Sequence, residues 1–195
     1  MISREDVTGI VLAGGQGRRM GGVDKGLVPF RGTPMVAAVI ARLAPQVGAI
    51  VVNANQNHAA YEELGHRVVA DAVGGFAGPL AGLQAGLAAA STPWVLTVPC
   101  DSPFLPRDLV ARLAVGCEDA RAQLAVARTF DQPHPVFALV RRDVQPHLEA
   151  FLASGGRKID AWYATLAVVE VAFDDEADAF RNINTRDELA AAGDP

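Results

Sequence analysis

The chain is predicted to form an α/β fold with a largely parallel sheet, on three observations. Short runs of β-branched residues alternate with alanine-rich stretches of helical length. The first such run opens directly into a glycine-rich loop, which puts that loop at the carboxyl end of the sheet, where open α/β sheets bind ligands. Hydrophobic residues make up 50% of the 195 positions and charged residues 20%, so the chain can bury a full core and is far from disordered composition.

In chain order, TGIVL at 8–12 reads as the first buried strand, and 34–43 follows as a helix with proline where a missing N–H does no harm. Residues 49–52 read as a strand, 59–64 as a helix and 67–70 as a strand. A second proline-started helix is expected at 79–90, an apolar strand at 94–98 and a helix at 106–115. Two extended segments, 123–127 and 135–140, precede a helix at 144–153 and a strand at 166–171. A helix at 185–192 closes the chain, signalled by a capping box of Thr185 and Glu188. The acidic stretch 174–178 reads as a solvated loop. No repeat, low-complexity segment or long linker divides the chain, so residues 1–195 are expected to form a single domain.

Composition excludes several classes. Seventeen basic against twenty-two acidic residues leave a net charge of −5, which argues against a nucleic-acid partner. No apolar run reaches the roughly 18 residues of a membrane span, and the start of the chain carries acidic residues where a signal peptide would be apolar. Two cysteines, Cys100 and Cys117, are too few for a disulfide framework and too far apart for a CxxC site. A soluble, cytoplasmic protein is expected.

The most informative segment is LAGGQGRRMGGVDK, residues 12–25. Gly14, Gly15, Gly17, Gly21 and Gly22 leave backbone N–H groups free to turn toward an anion. Arg18, Arg19 and Lys25 add three positive charges to one loop of an acidic protein, which suits a small polyphosphate better than a polymer. Two familiar phosphate loops do not match. Lys25 lies between Asp24 and Gly26 rather than in Gly-Lys-Ser/Thr, and Met20 stands where a dinucleotide fingerprint needs its third glycine.

Further candidates lie at predicted strand ends. Asp101 follows the strand at 94–98, where a carboxylate can hold Mg²⁺ beside phosphates or cap the turn into Ser102-Pro103. Asp71 follows another strand with the same geometry as Asp101. Asn53 ends the strand before it, where an amide can read a base or ribose through both donor and acceptor; either can be turn chemistry. Gly78 and Gly82 flank the start of a helix, which fits either a bound anion or close helix–sheet packing. Asn182 and Asn184 would face the same way in extended chain, although Asn184 can also satisfy the helix start. Arg157-Lys158 with Trp162-Tyr163 reads as an exposed pair beside core aromatics, or as a contact for a ring and its phosphate. The four histidines show no metal-ligand spacing, and Cys100 reads as a small buried strand-end residue.

The loop LAGGQGRRMGGVDKGL closely resembles the signature of the molybdenum cofactor guanylyltransferase (MobA) family. The resemblance continues in order through Val52-Asn53-Ala54-Asn55, Asp71, Gly78-Pro79-Leu80-Ala81-Gly82 and Pro99-Cys100-Asp101-Ser102-Pro103, then His134-Pro135-Val136-Phe137-Ala138-Leu139 and Arg181-Asn182-Ile183-Asn184-Thr185. It implies a three-layer, Rossmann-like nucleotidyltransferase fold with a mostly parallel central sheet. It implies transfer of GMP from GTP to the terminal phosphate of Mo-molybdopterin, with release of pyrophosphate and with Mg²⁺ as cofactor. The N-terminal half would bind GTP and the C-terminal half molybdopterin. Lys25 and Asp101 would be catalytic, with Asp101 also holding the Mg²⁺. Leu12, Ala13, Gly14, Gly15, Lys25, Asn53, Asp71 and Asp101 would bind GTP. Gly78, Gly82, Asn182 and Asn184 would lie on the pterin side. Transient contacts with a molybdenum-insertion protein and apo-molybdoenzymes are implied; a monomer is expected, with no nucleic acid or membrane partner. The alternatives are a cytidylyltransferase of the same fold, whose loop usually has alanine where Gly14 stands, and a non-catalytic GTP-binding delivery protein.

Overall fold

The structure, a computed structural model, describes residues 1–15, 24–72 and 78–193. Strand β1 (Val7–Leu12) runs through the middle of the sheet, almost wholly buried. It pairs in parallel with β4 (Ala49–Asn53) on one side and β6 (Trp94–Pro99) on the other. Two-residue strands β2 (Pro29–Phe30) and β3 (Thr33–Pro34) form a separate hairpin. With β5 (Arg67–Val69), β7 (Leu124–Thr129), β8 (Gln132–Arg141) and β9 (Val168–Ala172), the main sheet has the order β5-β4-β1-β6-β8-β7-β9. Among its described strands only β8 runs against the rest.

Alternation along the strands builds two cores, because successive side chains of a strand point to opposite faces. Val7 and Val11 of β1 pack with Leu96 and Val98 against helices α1 (Met35–Leu43) and α4 (Leu109–Ala120). Ile10 points the other way, with Val95, Val126 and Val140, against α3 (Pro79–Ala89), α5 (Gln145–Ala153) and α6 (Ile159–Tyr163). The result is three layers around a mostly parallel sheet, as expected. A short helix α2 (His58–Glu62) joins β4 to β5, and α7 (Arg186–Gly193) ends the described chain. A third, small core of Val28, Phe30, Met35 and Ile183, with Phe104 and Leu189, ties the β2–β3 hairpin to α7.

Where the elements depart from expectation, distant side chains account for much of it. The helix expected at 106–115 begins at Leu109 and runs to Ala120. Its start is held by Gln46, whose Oε1 accepts from Val110 N at 3.1 Å while its Nε2 donates to the Pro106 carbonyl at 2.9 Å. The acidic stretch is exposed at Asp174 and Asp175 but is ordered as a 3₁₀ helix, Asp174–Phe180. Arg112 holds Asp175 at 2.9 Å, and Phe130 N donates to Asp174. The capping box forms: Glu188 N donates to Thr185 Oγ1 at 3.1 Å, and Thr185 N to Glu188 Oε2 at 3.0 Å.

The carboxyl ends of β1, β4, β5 and β6 all face one edge of the sheet, because the four strands are mutually parallel. Every candidate on a loop after those strands is therefore delivered to the same rim.

Candidate active site

Asp101 follows β6 in a tight loop and is buried. The loop is sewn down on both sides: Cys100 N donates to the Leu12 carbonyl at 3.1 Å, and the Asp101 carbonyl accepts from Ile183 N at 2.9 Å. Lys25 begins a 3₁₀ turn, Lys25–Leu27, with its side chain mostly covered. Its Nζ donates to Asp101 Oδ2 at 3.1 Å and to Asn184 Oδ1 at 2.5 Å. Ser102 Oγ donates to Asn182 Oδ1 at 2.5 Å. The two predicted catalytic residues and Asn184 thus meet at one point, drawn from segments more than seventy residues apart, and Asn182 is tethered to Ser102 beside them. A cation fixed by two acceptors in a largely dehydrated setting needs little reorganisation when negative charge develops beside it.

A second cluster forms on the other side of β1. Asn53 Nδ2 donates to Asp71 Oδ1 at 2.8 Å, and Asn55 Nδ2 to Asp71 Oδ2 at 2.9 Å. Asp71 N returns a bond to Asn55 Oδ1 at 2.9 Å, so the carboxylate is locked in orientation. This cluster touches the start of the glycine-rich loop: Ala13 N donates to the Asn53 carbonyl at 2.8 Å, and Asn55 Nδ2 to the Gly14 carbonyl at 3.3 Å. Leu12, Ala13 and Gly14 therefore lie against Asn53 and Asn55, and Gly15 follows them in the chain. Gly17, Arg18, Arg19, Gly21 and Gly22 lie outside the described residues.

Gly78 turns the chain into α3 with φ 66°, a region that favours glycine. Gly82 lies deeper, against Leu12 and Asn53. A Cβ there would stand 2.5 Å from Asn53 Oδ1 and 2.6 Å from Leu12 Cδ2. Gly82→Ala is therefore expected to cost about 1–3 kcal/mol by overpacking, which outweighs the roughly 1 kcal/mol that alanine gains in helix propensity. The same push displaces Asn53 from Asp71. Thermal unfolding checks this: the variant should melt lower than wild type.

Several residues beside the site receive no role from the sequence, although Asp24 and Asn55 stand inside its motifs. Asp24 is buried, accepting from Tyr61 Oη and from Asn57 Nδ2 at 3.0 Å, and it immediately precedes Lys25. Burial and the bond to Asp24 push the Tyr61 phenol far above its ordinary range, so the hydroxyl stays the donor. Asn55 stood inside a matching motif without an assigned role. Trp162 and Tyr163 are core residues, bonded to His147 Nδ1 and to the Pro135 carbonyl. Arg157 donates to the Leu152 and Gly156 carbonyls. His134 stacks on Phe180 with ring centroids 4.7 Å apart. Cys100 is buried and its thiol is pushed well up by burial, which removes it as a nucleophile.

The family model of the MobA-like NTP transferase domain matches residues 9–168. A molybdenum cofactor guanylyltransferase of Cupriavidus taiwanensis is 56% identical, over 98% of both chains. The chain belongs to the MobA-like NTP transferase family. Among solved structures, molybdopterin-guanine dinucleotide biosynthesis protein A from Archaeoglobus fulgidus superposes with a TM-score of 0.77 at 26% identity, covering 95% of this chain and 96% of that one. A Mycobacterium tuberculosis protein of the same fold, solved in complex with manganese, superposes at 0.68 with 19% identity, covering 96% and 97%. The family match includes Lys25, Asp71 and Asp101 but stops short of Asn182 and Asn184, which the full-length relative spans. Among the described residues of this MobA-like chain no group of three or more His, Cys, Asp or Glu could hold a metal, and no helix is long and apolar enough to cross a membrane.

Proposed function

We propose that the chain transfers GMP from GTP to the terminal phosphate of Mo-molybdopterin, forming molybdopterin guanine dinucleotide. The observation that carries this reading is Lys25 fixed between Asp101 and Asn184, at the rim that also holds the glycine-rich loop. An oxygen of the acceptor phosphate forms a bond to the α-phosphorus while the bond from that phosphorus to the β-phosphate bridging oxygen breaks. Pyrophosphate leaves with the electron pair. The acceptor is a phosphate monoester with a second pKa of about 6, already mostly dianionic near neutral pH, so no general base is required. What remains is alignment and charge neutralisation.

Leu12, Ala13, Gly14, Gly15, Asn53 and Asp71 take the nucleotide, and Lys25 stabilises charge on the transferring phosphate. Gly78 and Gly82, expected from the resemblance on the pterin side, fall in this reading on the nucleotide side, because Gly82 packs against Asn53; Asn182 and Asn184 border the acceptor. GTP thus engages mainly the N-terminal half and molybdopterin the C-terminal half, and the halves join where Asn184 reaches Lys25. Asp101 fits Mg²⁺: it is a hard oxygen donor, Lys25 occupies only Oδ2, and magnesium is normally held by one or two carboxylates plus substrate phosphates. When bound, the ion would supply neutralisation of the triphosphate. A cytoplasmic enzyme that hands its product to molybdoenzymes by transient contact is the setting consistent with this reading.

Guanine rather than cytosine is favoured at Gly14. Cytidylyltransferases of this fold usually have alanine there, and a Cβ on Gly14 would stand 2.8 Å from Asn55 Nδ2. The test is ligand protection followed by turnover. At a hundred times Kd, GTP with Mg²⁺ should stabilise the fold by about 2.7 kcal/mol, and CTP should not. Adding Mo-molybdopterin should then release pyrophosphate. The reverse ranking of nucleotides would overturn the guanine assignment, and binding without pyrophosphate would overturn catalysis.

A further inference from the structure

Phe104, three residues past Asp101, carries two guanidinium groups. The guanidinium carbon of Arg181 stands 4.4 Å from the centroid of its ring and that of Arg31 stands 5.8 Å away. Arg31 also lies 5.2 Å from the ring of Phe30, which meets Phe104 edge-on at 5.9 Å. Two cations therefore share one aromatic platform, no further apart than the sum of their distances to it. Neither forms a salt bridge among the described residues. Contact with the ring face offsets the charge of each arginine only in part, which leaves both able to take an anion.

The fold holds this arrangement from two sides. Arg31 sits at φ 50° in a two-residue turn with Gly32 at φ 84°, and its Nε donates to the Ala192 carbonyl at 3.2 Å. Left-handed backbone is uncommon for a residue with a side chain, so the turn itself aims Arg31. Arg181 precedes Asn182, which Ser102 tethers, and Ile183, which is bonded to the Asp101 carbonyl. Both arginines are exposed residues.

Their position separates them from the nucleotide cluster. Asn53 and Asp71 follow β4 and β5 on one side of β1, whereas Asp101 and Phe104 follow β6 on the other. Arginine forks match phosphate oxygens in a bidentate manner that lysine does not reproduce. We infer that Arg31 and Arg181, seated on Phe104, clamp the phosphate monoester of the acceptor and hold it beside Asp101 and Lys25. This rests on the guanylyl-transfer reading and adds to it the residues that bring in the second anion. Two dianionic or polyanionic substrates repel each other, and a separate cationic seat for the acceptor lets both enter together.

The experiment is pyrophosphate release with each substrate varied in turn, for wild type, Arg31→Ala, Arg181→Ala and the double variant. Each single change should raise the acceptor KM about tenfold and the double change further, with the GTP KM held. Raising ionic strength should shrink the difference. An unchanged acceptor KM overturns the clamp, and so does a rise confined to the GTP KM, which would assign the arginines to the triphosphate. If wild type binds GTP but releases no pyrophosphate, the transfer reading fails by itself. Direct titration of Mo-molybdopterin then decides the clamp: weaker binding by the variants supports it, and equal binding overturns it.

Discussion

Lys25→Ala is expected to lower turnover by about 10²–10³-fold, the range observed when one preorganised donor to a developing oxyanion is removed. That corresponds to about 2.7–4 kcal/mol of transition-state stabilisation. The fold should lose less. Lys25 and Asp101 are mostly covered, with side chains 22% and 10% exposed, but a narrow opening lets water approach the carboxylate once the ammonium is gone. The penalty for an unpaired group in that setting is about 1–2 kcal/mol. Asn184 loses its donor at the same time, but its backbone N still donates to Glu188 Oε2 at 2.7 Å, so the start of α7 stays capped. Lys25→Arg should recover little, because a planar fork does not reproduce a point charge placed between two acceptors. Rates of pyrophosphate release, set beside thermal unfolding of the same samples, check the claim. Turnover within a few-fold of wild type would remove Lys25 from the chemistry.

Much of this site was legible because its parts sit at strand ends. The run 8–12, the alternation that follows and the glycine-rich loop place Leu12–Gly15 at the rim without any coordinates. Asp71 and Asp101 could be placed there by the same rule, as residues just past strands of a parallel sheet. What periodicity could not show is pairing between distant segments. Asn184 sits 159 positions from Lys25, and the sequence around it reads equally well as a helix cap. The structure shows both: its backbone N joins the cap, and its side chain reaches the lysine. The start of α4 was misplaced for a related reason, since the group that satisfies Val110 N comes from Gln46 on another element. The β2–β3 hairpin escaped because each of its strands has two residues, too few for any alternation to register. Helix α6 escaped because five residues make little more than one turn.

Tyr61 illustrates the same blind spot and carries the second large expected effect. An aromatic residue in a short helix reads as core, and it is fully buried, yet its hydroxyl donates to Asp24, the residue before Lys25. Asn57, in left-handed conformation at φ 53°, supplies the other bond to that carboxylate. Packing leaves no slack: a Cβ on Gly26 would stand 2.5 Å from the Tyr61 hydroxyl. Tyr61→Phe keeps the ring and deletes only the donor, leaving a buried carboxylate with one partner. The cost should be about 1–3 kcal/mol of stability, at the upper end because the orphaned group is charged. Turnover should fall about tenfold as well, since the 3₁₀ turn that aims Lys25 starts from Asp24, and errors of about 1 Å in a catalytic group can cost 10²-fold. Positioning and simple destabilisation separate in a double-mutant cycle with Lys25→Ala. If Tyr61 acts through Lys25, adding Tyr61→Phe to Lys25→Ala costs no further turnover but still lowers the melting temperature. Equal activity losses in both backgrounds would mean that Tyr61 serves the fold alone.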